Sequence, residues 1–230
     1  MKNISKLLVI AAHPDDELLG CGGSIAKYLD DGVLVKVLIL GEGSTCRYDD
    51  PSSKEAVLAI KRRNLWATEA LQVIGVNDFE FYDLPCGRFD QTPIIVINKI
   101  IESVIKKFRP DTVLTHSEGD ANNDHRITHR ATIMATRPCG EHVVSRLFCY
   151  EVLSSSEWSY TISFTPNYFV RLTEKQLLAK WSALECYKTE MRNDPFPRSW
   201  LGVRNLAMKR GMQAGVEFAE AFQLIREFEL

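Results

Sequence analysis

A short apolar run leads directly into a dense polar motif in Leu7-Leu8-Val9-Ile10-Ala11-Ala12-His13-Pro14-Asp15-Asp16-Glu17. The apolar run is typical of a buried strand, and the polar residues follow where that strand ends. Pro14 fixes its own φ and restricts His13 to an extended conformation. An imidazole and a carboxylate three residues apart, as in His13 and Asp16, can both reach one divalent cation. Asp15 is then left for acid or base chemistry, because two adjacent carboxylates are costly to hold together without such a division of roles.

Apolar runs rich in Val and Ile alternate with segments of helical period over the first two thirds of the chain. The predicted strands cover residues 7–12, 33–40, 79–82 and 112–115, and the predicted helices cover residues 18–29, 54–74, 94–108 and 125–136. This alternation is the signature of βαβ units and a parallel sheet. We therefore expect an α/β fold, a Rossmann-like three-layer sandwich around a mostly parallel sheet.

The pattern loosens beyond Pro138, through residues 147–153. Residues 168–172 are a candidate strand, and Thr173-Glu174-Lys175-Gln176 predicts a capping box at the start of a further helix. The tail, residues 201–230, mixes helix formers with glycines. Its aromatic residues, Phe218, Phe222 and Phe228, are expected in the core or an interface rather than in a sugar platform.

The chain has 230 residues, a formal net charge of -2 and a sequence pI of about 6.2. This length suits one large domain over residues 1–230, although it would also permit two small ones. The charge provides no basic surface for nucleic acid or for an anionic membrane. The expected partner is a small molecule.

The cysteines and the N-terminal residues indicate the cellular compartment of the protein. The six cysteines are scattered without a Cys-x-x-Cys pair, so they indicate neither a zinc knuckle nor a disulfide framework. Lys2 and Lys6 before the first apolar run imitate a signal peptide, but that run is too short and charged residues follow it at once. No segment reaches the roughly 20 apolar residues of a membrane span. We expect a soluble, unprocessed, cytoplasmic protein.

Polar residues follow each of the predicted parallel strands, and such strand ends meet at one edge of the sheet. The segments are His13 to Asp16, Gly41-Glu42, Asp83 and His116-Ser117-Glu118-Gly119-Asp120. Asn122-Asn123-Asp124-His125 then opens a helix on which His129 lies one turn beyond His125, on the same face. The sequence therefore predicts one shared site.

A site built from His13, Asp16 and one histidine of this helix would offer two nitrogens and one oxygen, with a position left for water. That donor set is typical of catalytic zinc. A bound zinc lowers the pKa of its water to about 7, and Asp15 could accept the proton as the hydroxide attacks a carbonyl carbon. These parts predict amide or ester hydrolysis without a covalent enzyme intermediate.

The first motif, with Gly20-Cys21-Gly22-Gly23 after it and Asp124-His125-Arg126 later, resembles the LmbE-like, or PIG-L-like, metal-dependent deacetylases. The likeness extends over most of the chain. Its supporting features are the strand ending at Asp83, Pro110-Asp111 before Val113-Leu114-Thr115-His116, the Arg137-Pro138 pair, and Glu151 with the serines that follow it.

The resemblance implies a zinc-dependent enzyme that removes the acetyl group from N-acetylglucosamine units. It implies that His13, Asp16 and His125 are the metal ligands, with about one Zn²⁺ per chain, another divalent metal being the alternative. Asp15 would be the base that activates water and returns the proton to the leaving amine. By the same resemblance, Arg63 would contact the substrate and Asp83 would hydrogen-bond sugar hydroxyls.

The chain departs from the family pattern at two positions. Many relatives have a second histidine three residues before the ligand histidine, where this chain has Asn122. An amide can donate a hydrogen bond but cannot deliver a titrating proton. Either the metal and Asn122 stabilise the oxyanion, or His116 or His129 approaches from another direction. Trp66 stands where the helix after Arg63 often carries Glu.

Each of these residues also has a structural interpretation. The first motif could cap the following helix through Asp15 or Asp16. Asp124, His116 and His129 are expected to support the ligands rather than to bind the metal. Other residues have structural interpretations as well: Arg63 as a solvated helix charge beside Lys61 and Arg62, Asp83 as a turn residue before Pro85, His142 as a surface residue, and Gly20, Gly22 and Gly23 as positions of close helix packing.

The predicted activity is hydrolysis of the N-acetyl group of an N-acetylated amino sugar, which is nucleotide-activated, lipid-linked or part of a small glycoside. One alternative is hydrolysis of another N-acyl amide. The other is a sugar-nucleotide binding protein without turnover. The expected partner is a small-molecule or glycoconjugate substrate, with no nucleic acid and no stable membrane insertion, and the sequence leaves homo-oligomerisation open.

Overall fold

The computed structural model describes residues 4–229, so Lys2 lies outside the described part. The strands are β1 (Lys6–Ala11), β2 (Leu34–Gly41), β3 (Asp78–Leu84), β4 (Thr112–His116), β5 (Arg146–Tyr150), β6 (Tyr168–Leu172) and β7 (Phe218–Glu227). The helices are α1 (Asp16–Asp30), α2 (Lys54–Ile74), α3 (Ile94–Phe108), α4 (Asn123–Ala135), α5 (Glu174–Leu184) and α6 (Trp200–Ala214). Short 3-10 turns lie at Thr45–Arg47, Phe89–Gln91 and Ser156–Trp158.

The strands form one seven-stranded sheet in the order β3-β2-β1-β4-β5-β7-β6. The first five strands in this order run parallel, with Val9 of β1 opposite Val37 of β2 on one side and Leu114 of β4 on the other. β7 is antiparallel to both β5 and β6. The mostly parallel α/β fold predicted from the sequence is confirmed.

Helices cover both faces of the sheet and give the sandwich its three layers. Alternate residues of β1 point to opposite faces. Leu7 and Val9 join a core with residues of α1, α2, α5 and α6, whereas Leu8 and Ile10 join a second core with residues of α3 and α4. Because both faces of the central strands are buried, these strands consist almost entirely of apolar residues.

Local sequence signals account for most of the helix ends. The Ser53 hydroxyl accepts a hydrogen bond from the Ala56 N–H at the start of α2, and Gly75 ends that helix at φ 96°. The predicted capping box of Thr173 and Gln176 is present at the start of α5. These contacts satisfy backbone groups that helix termini otherwise leave unpaired.

The tail is the part that the sequence predicted least well. It forms α6 and then β7, separated by Gly215 at φ 69°. β7 inserts between β5 and β6, so a strand that is last in the chain completes the sheet. Phe218 and Phe222 are buried in the core as predicted, and Phe228 lies just beyond the strand.

Two other sequence-based expectations concern helices. Within the described residues, no helix combines the length and the apolar character that crossing a membrane requires. A Cβ at Gly20 would clash with the ring of Tyr150, and one at Gly23 would clash with Leu172. These glycines therefore permit the close packing of α1 that the sequence predicts.

Candidate metal centre and active site

Three potential metal ligands meet at the carboxyl ends of the parallel strands. His13 and Asp16 follow β1, and His125 lies in the first turn of α4, which follows β4. One donor atom from each side chain lies within 4.8 Å of the other two, and all three residues are buried. The structure thus brings together the three residues that the sequence singled out, His125 rather than His129 being the one from the helix.

The Oδ2 atom of Asp16 is the centre of this group. It lies 3.4 Å from Nδ1 of His13 and 3.1 Å from Nε2 of His125. The backbone N–H of His13 also donates to it, at 2.9 Å. The strand end and the first turn of α1 therefore fix the carboxylate between two imidazole rings.

A further carboxylate holds the other nitrogen of each ring. Nε2 of His13 lies 2.9 Å from Oδ2 of Asp124, and Nδ1 of His125 lies 3.1 Å from Oδ1 of Asp120. This arrangement leaves Nδ1 of His13 and Nε2 of His125 facing Asp16. Histidines that bind metals usually donate their second ring N–H to a carboxylate or carbonyl, so the donor set fits a divalent cation.

The two supporting carboxylates are themselves held in place. Asp124 accepts the N–H groups of Gly87 at 2.6 Å and Phe89 at 3.1 Å. Asp120 accepts hydrogen bonds from the hydroxyls of Ser155 and Ser156. Asp124 was among the predicted supporting residues. Asp120 was predicted only as part of a polar strand end.

The histidine pKa values show how much negative charge surrounds the rings. Burial lowers the pKa of His13, but Asp124 and Asp16 outweigh it and raise the pKa to about 9. Burial likewise lowers the pKa of His125, while Asp16 and Asp120 raise it to about 10. The cluster of three carboxylates therefore favours added positive charge, which either two protons or one divalent cation supplies.

A second group of potential ligands shares His13 and consists of His13, Cys86 and Asp124. Its donors have other partners, since the two Asp124 oxygens accept backbone N–H groups and the Cys86 thiol lies 2.9 Å from the sulfur of Cys46. The group around Asp16 is the better metal site, because there the supporting bonds orient the rings toward the shared oxygen.

Asp15 sits beside this centre in a strained conformation. Its φ of 101° lies in the left-handed region, which is costly for a residue with a Cβ and is found mainly at functional sites. Its backbone N–H donates to Oε2 of Glu17 at 3.1 Å. Glu17 in turn accepts from the Tyr187 hydroxyl at 3.2 Å. These hydrogen bonds hold the turn between β1 and α1 that carries Asp15.

Two arginines hold one oxygen of that carboxylate. Oδ2 of Asp15 accepts from Nη2 of Arg63 at 2.9 Å and from Nη1 of Arg198 at 2.7 Å. Burial raises the pKa of Asp15, and Arg198 and Arg63 oppose this shift without cancelling it. Both hydrogen bonds go to Oδ2, so Oδ1 is the atom that can accept a proton from a water.

Arg63 belongs to a buried ion cluster rather than to the solvated face of α2. It donates to the Pro14 carbonyl at 2.8 Å and pairs with Glu190. Glu190 also accepts two hydrogen bonds from Arg47, at 2.8 and 2.9 Å, and pairs with Arg198 at 3.3 Å. Glu190 and Arg198 were not predicted as site residues, because the segment between α5 and α6 carries no motif.

Two further histidines, His116 and His129, lie close to the metal centre, and Nε2 of His116 is 3.6 Å from Oδ2 of Asp16. Nε2 of His116 accepts the Ala12 N–H at 2.9 Å, and its ring stacks on His125 with centroids 4.0 Å apart. Burial lowers the pKa of His116 well below its ordinary value, and His125 lowers it further. His129 bonds the His116 carbonyl through Nδ1 at 3.0 Å. Both rings thus brace the end of β4 against β1 and α4.

The two remaining predicted substrate contacts are placed differently. Oδ1 of Asn122 caps α4 by accepting the Asp124 N–H at 2.9 Å, which fixes the orientation of its amide group. Asp83 lies near the end of β3 with an exposed side chain. Asn122 is thus joined by one hydrogen bond to Asp124, the residue that supports His13, and the roles of Asn122 and Asp83 stay predictions.

Comparison with known proteins identifies the family. A model of the PIG-L family, described as GlcNAc-PI de-N-acetylase, matches residues 8–136. The chain is 27% identical over 232 residues to diacetylchitobiose deacetylase from Thermococcus kodakarensis, covering 97% of this chain and 84% of that protein.

Two solved structures share the fold. N,N'-diacetylchitobiose deacetylase from Pyrococcus horikoshii has a TM-score of 0.76 at 23% identity, covering 97% of this chain and 84% of that one. The 4-carboxy-2-hydroxymuconate hydratase GalB from Pseudomonas putida KT2440 has a TM-score of 0.75 at 23% identity, covering 98% of both chains. Because one fold carries both reactions, the function has to be argued from the site. The family match over more than half of the sequence shows that this chain belongs to the PIG-L, or LmbE-like, family.

Proposed function

We propose that the protein is a zinc-dependent N-deacetylase that hydrolyses the N-acetyl group of an N-acetylated amino sugar to acetate and a free amine. The observation that carries the proposal is Asp15, a buried carboxylate whose Oδ1 accepts no hydrogen bond from residues 4–229, beside the donor set of His13, Asp16 and His125. The deacetylase relative from Thermococcus kodakarensis supports the same class of reaction.

The residues would divide the work as follows. His13 Nδ1, Asp16 Oδ2 and His125 Nε2 would hold the zinc, with Asp124 and Asp120 orienting the two rings. When bound, zinc supplies Lewis acidity that lowers the pKa of water and polarises the amide carbonyl. With three protein ligands, a coordination position would remain for water or substrate.

Asp15 would move the proton. Its Oδ1 accepts a proton from the attacking water and later delivers it to the leaving amine, while Arg63 and Arg198 keep Oδ2 fixed. One carboxylate can serve in both directions because the amine is the stronger base once the C–N bond breaks. No covalent bond to the enzyme forms.

Asn122 would assist at the carbonyl oxygen. Its Oδ1 is held by the Asp124 N–H, so its NH₂ group has a fixed direction and keeps its donors for a substrate oxygen. His116 and His129 are engaged in backbone hydrogen bonds, which favours Asn122 for this role. We also propose that Asp83 contacts sugar hydroxyls. The six free cysteines favour a reducing compartment, and we propose a cytoplasmic location.

The test combines metal analysis of the purified protein with acetate release from a panel of N-acetylhexosamine glycosides, nucleotides and lipids, and from N-acetylated amino acids. About one zinc per chain and acetate release from amino sugars alone is the expected result. Zinc binding without acetate release from any sugar would reject the deacetylation of amino sugars. A protein that takes up no metal on reconstitution would reject His13, Asp16 and His125 as the ligand set.

A further inference from the structure

A cavity of about 220 Å³ is lined in part by Arg63, whose guanidinium donates to the Asp15 carboxylate. Its lining includes three arginines, Arg47, Arg62 and Arg63, together with Trp66 and the side of Thr189. Arg63 connects the cavity to the reacting centre, because its guanidinium also donates to Asp15. The cavity and the Asp15 carboxylate are therefore one side chain apart.

The cavity has more positive than negative charge. No carboxylate is among its lining residues, and the nearest one, Glu190, is shared between Arg47, Arg63 and Arg198. Arg62 makes no ion pair with any of residues 4–229. Arg47 and Arg63 thus share Glu190 while Arg62 has no carboxylate partner among residues 4–229, so the cavity wall carries a net positive charge.

The donors of this wall suit an oxyanion. Guanidinium groups recognise phosphate and carboxylate oxygens through paired N–H donors. Arg62 and Trp66 lie one turn apart on α2 and therefore on the same face. An indole beside a guanidinium offers a surface for the ring or chain that carries the anion. Trp66 is thus placed for a role other than that of the Glu found there in many relatives.

We propose that the cavity binds an oxyanion, phosphate or carboxylate, on the part of the substrate joined to the amino sugar. This inference rests on the proposed function for the position of the N-acetyl group at Asp15. It narrows the substrate class from N-acetylated amino sugars in general to anionic ones, and it assigns Arg62 as a specificity residue. A neutral disaccharide would leave the cavity charge unmatched.

The test separates anion binding from turnover. Metal-free protein is titrated by calorimetry with N-acetylglucosamine 1-phosphate, with a glycoside that has a carboxylate aglycone, and with neutral methyl N-acetylglucosaminide. Removing the metal prevents phosphate from binding there instead. Arg62→Ala is compared with Lys61→Ala, which removes the same charge from the adjacent exposed position of α2.

Wild-type protein should bind one or both anionic ligands and not the neutral glycoside. Arg62→Ala should weaken that binding about fivefold, the size expected for one partly exposed charge, and Lys61→Ala should leave it unchanged. The two anionic ligands show which oxyanion is preferred. Equal losses in both variants, or no loss in Arg62→Ala, would overturn the assignment.

Turnover by the zinc-loaded protein completes the test. The KM for the anionic substrate should rise about fivefold in Arg62→Ala with kcat unchanged, and neutral substrate should be affected in neither variant. Equal kcat/KM for neutral and anionic substrates would overturn the inference while leaving deacetylation intact. Anion binding with no acetate release from any substrate would reject the proposed function and leave the anion site standing.

Discussion

Arg198 donates to Oδ2 of Asp15 at 2.7 Å, although the two residues are 183 positions apart in the chain. The contact joins the turn after β1 to the segment that precedes α6. It means that the proposed base is held from two sides, since Arg63 of α2 reaches the same oxygen. A carboxylate buried in this way depends on its charged partners for both its position and its ionised form.

Removing Arg198 should impair turnover without removing the metal. We expect Arg198→Ala to lower kcat by about tenfold, because a hydrogen bond to a charged group contributes roughly 1.5–3 kcal/mol and Arg63 retains part of the support. Arg198→Lys should recover some of the loss. Steady-state kinetics and zinc content measure the two effects. Arg192→Ala, an exposed position of the same segment, is the control, and a kcat loss as large in that variant would show a general effect of the segment.

Asp15 itself should be needed for the chemistry and not for the metal. Asp15→Asn keeps the size of the side chain and its contact with the arginines but cannot accept a proton. We expect normal zinc content with kcat lower by about 10²- to 10⁴-fold, the usual contribution of a general base. Asp31→Asn, at the exposed end of α1, is the control. Full activity in Asp15→Asn would exclude the assigned role.

The carboxylates behind the histidines should tune metal affinity. Asp120→Asn and Asp124→Asn each remove the charge of a carboxylate beside the second ring nitrogen of a histidine, 3.1 Å from Nδ1 of His125 and 2.9 Å from Nε2 of His13. Each variant should bind zinc about 10- to 100-fold more weakly, measured by competition with a chromophoric chelator. Glu118→Gln, an exposed neighbour, should bind as the wild type does. Unchanged affinity in both Asp variants would mean that the rings are oriented without them.

Local sequence information was sufficient for the parallel strands β1 to β4 and for the three candidate ligands. The run before His13 has the apolar character of a strand buried on both faces, and ligands at a strand end and a helix start are fixed by short-range geometry. α2 was predicted at its observed bounds, and Gly75 marks its C-terminal end. These features depend on residues close together in the chain.

The parts that the sequence did not predict depend on distant contacts. β7 pairs with β5 and β6 only once the sheet exists, and its Phe218 and Glu220 are buried by residues far from them in sequence. Glu190 and Arg198 were not predicted for a similar reason, since an isolated Glu or Arg between helices is usually a solvated charge. Asp120 alone had a signal, its place in a polar strand end with His125 five residues later.

Close packing at Gly20 should be required for stability. A Cβ at this position of α1 would clash with the ring of Tyr150, whose hydroxyl donates to the Ile10 carbonyl at 2.8 Å and whose ring lies 4.9 Å from that of His116. Gly20→Ala should lower the free energy of unfolding by about 1–3 kcal/mol, the cost of overpacking a core. Urea denaturation measures it. Gly140→Ala has only one atom near its added Cβ, at 3.8 Å, and should change little.

Glu190 should make the free energy of unfolding depend on pH. Burial raises the pKa of Glu190, but Arg63, Arg47 and Arg198 outweigh it and bring the pKa from 4.5 to about 2. The ionised carboxylate therefore stabilises the folded protein above about pH 4.5, and this contribution is lost as the pH falls toward 2. The shift corresponds to roughly 3 kcal/mol at neutral pH.

Glu190→Gln removes the titrating group while keeping its shape. We expect its free energy of unfolding to be lower than that of the wild type by roughly 3 kcal/mol at pH 7 and by about half as much at pH 3. At pH 3 the unfolded wild-type chain binds a proton at Glu190 that the folded protein largely lacks, which lowers the free energy of unfolding of the wild type. Urea titrations of both proteins at several pH values measure the difference, with the exposed Glu185→Gln as control. A deficit that stays constant between pH 7 and pH 3 would show that Glu190 stabilises the cluster through packing and hydrogen bonds alone, and that its arginines do not depend on its charge.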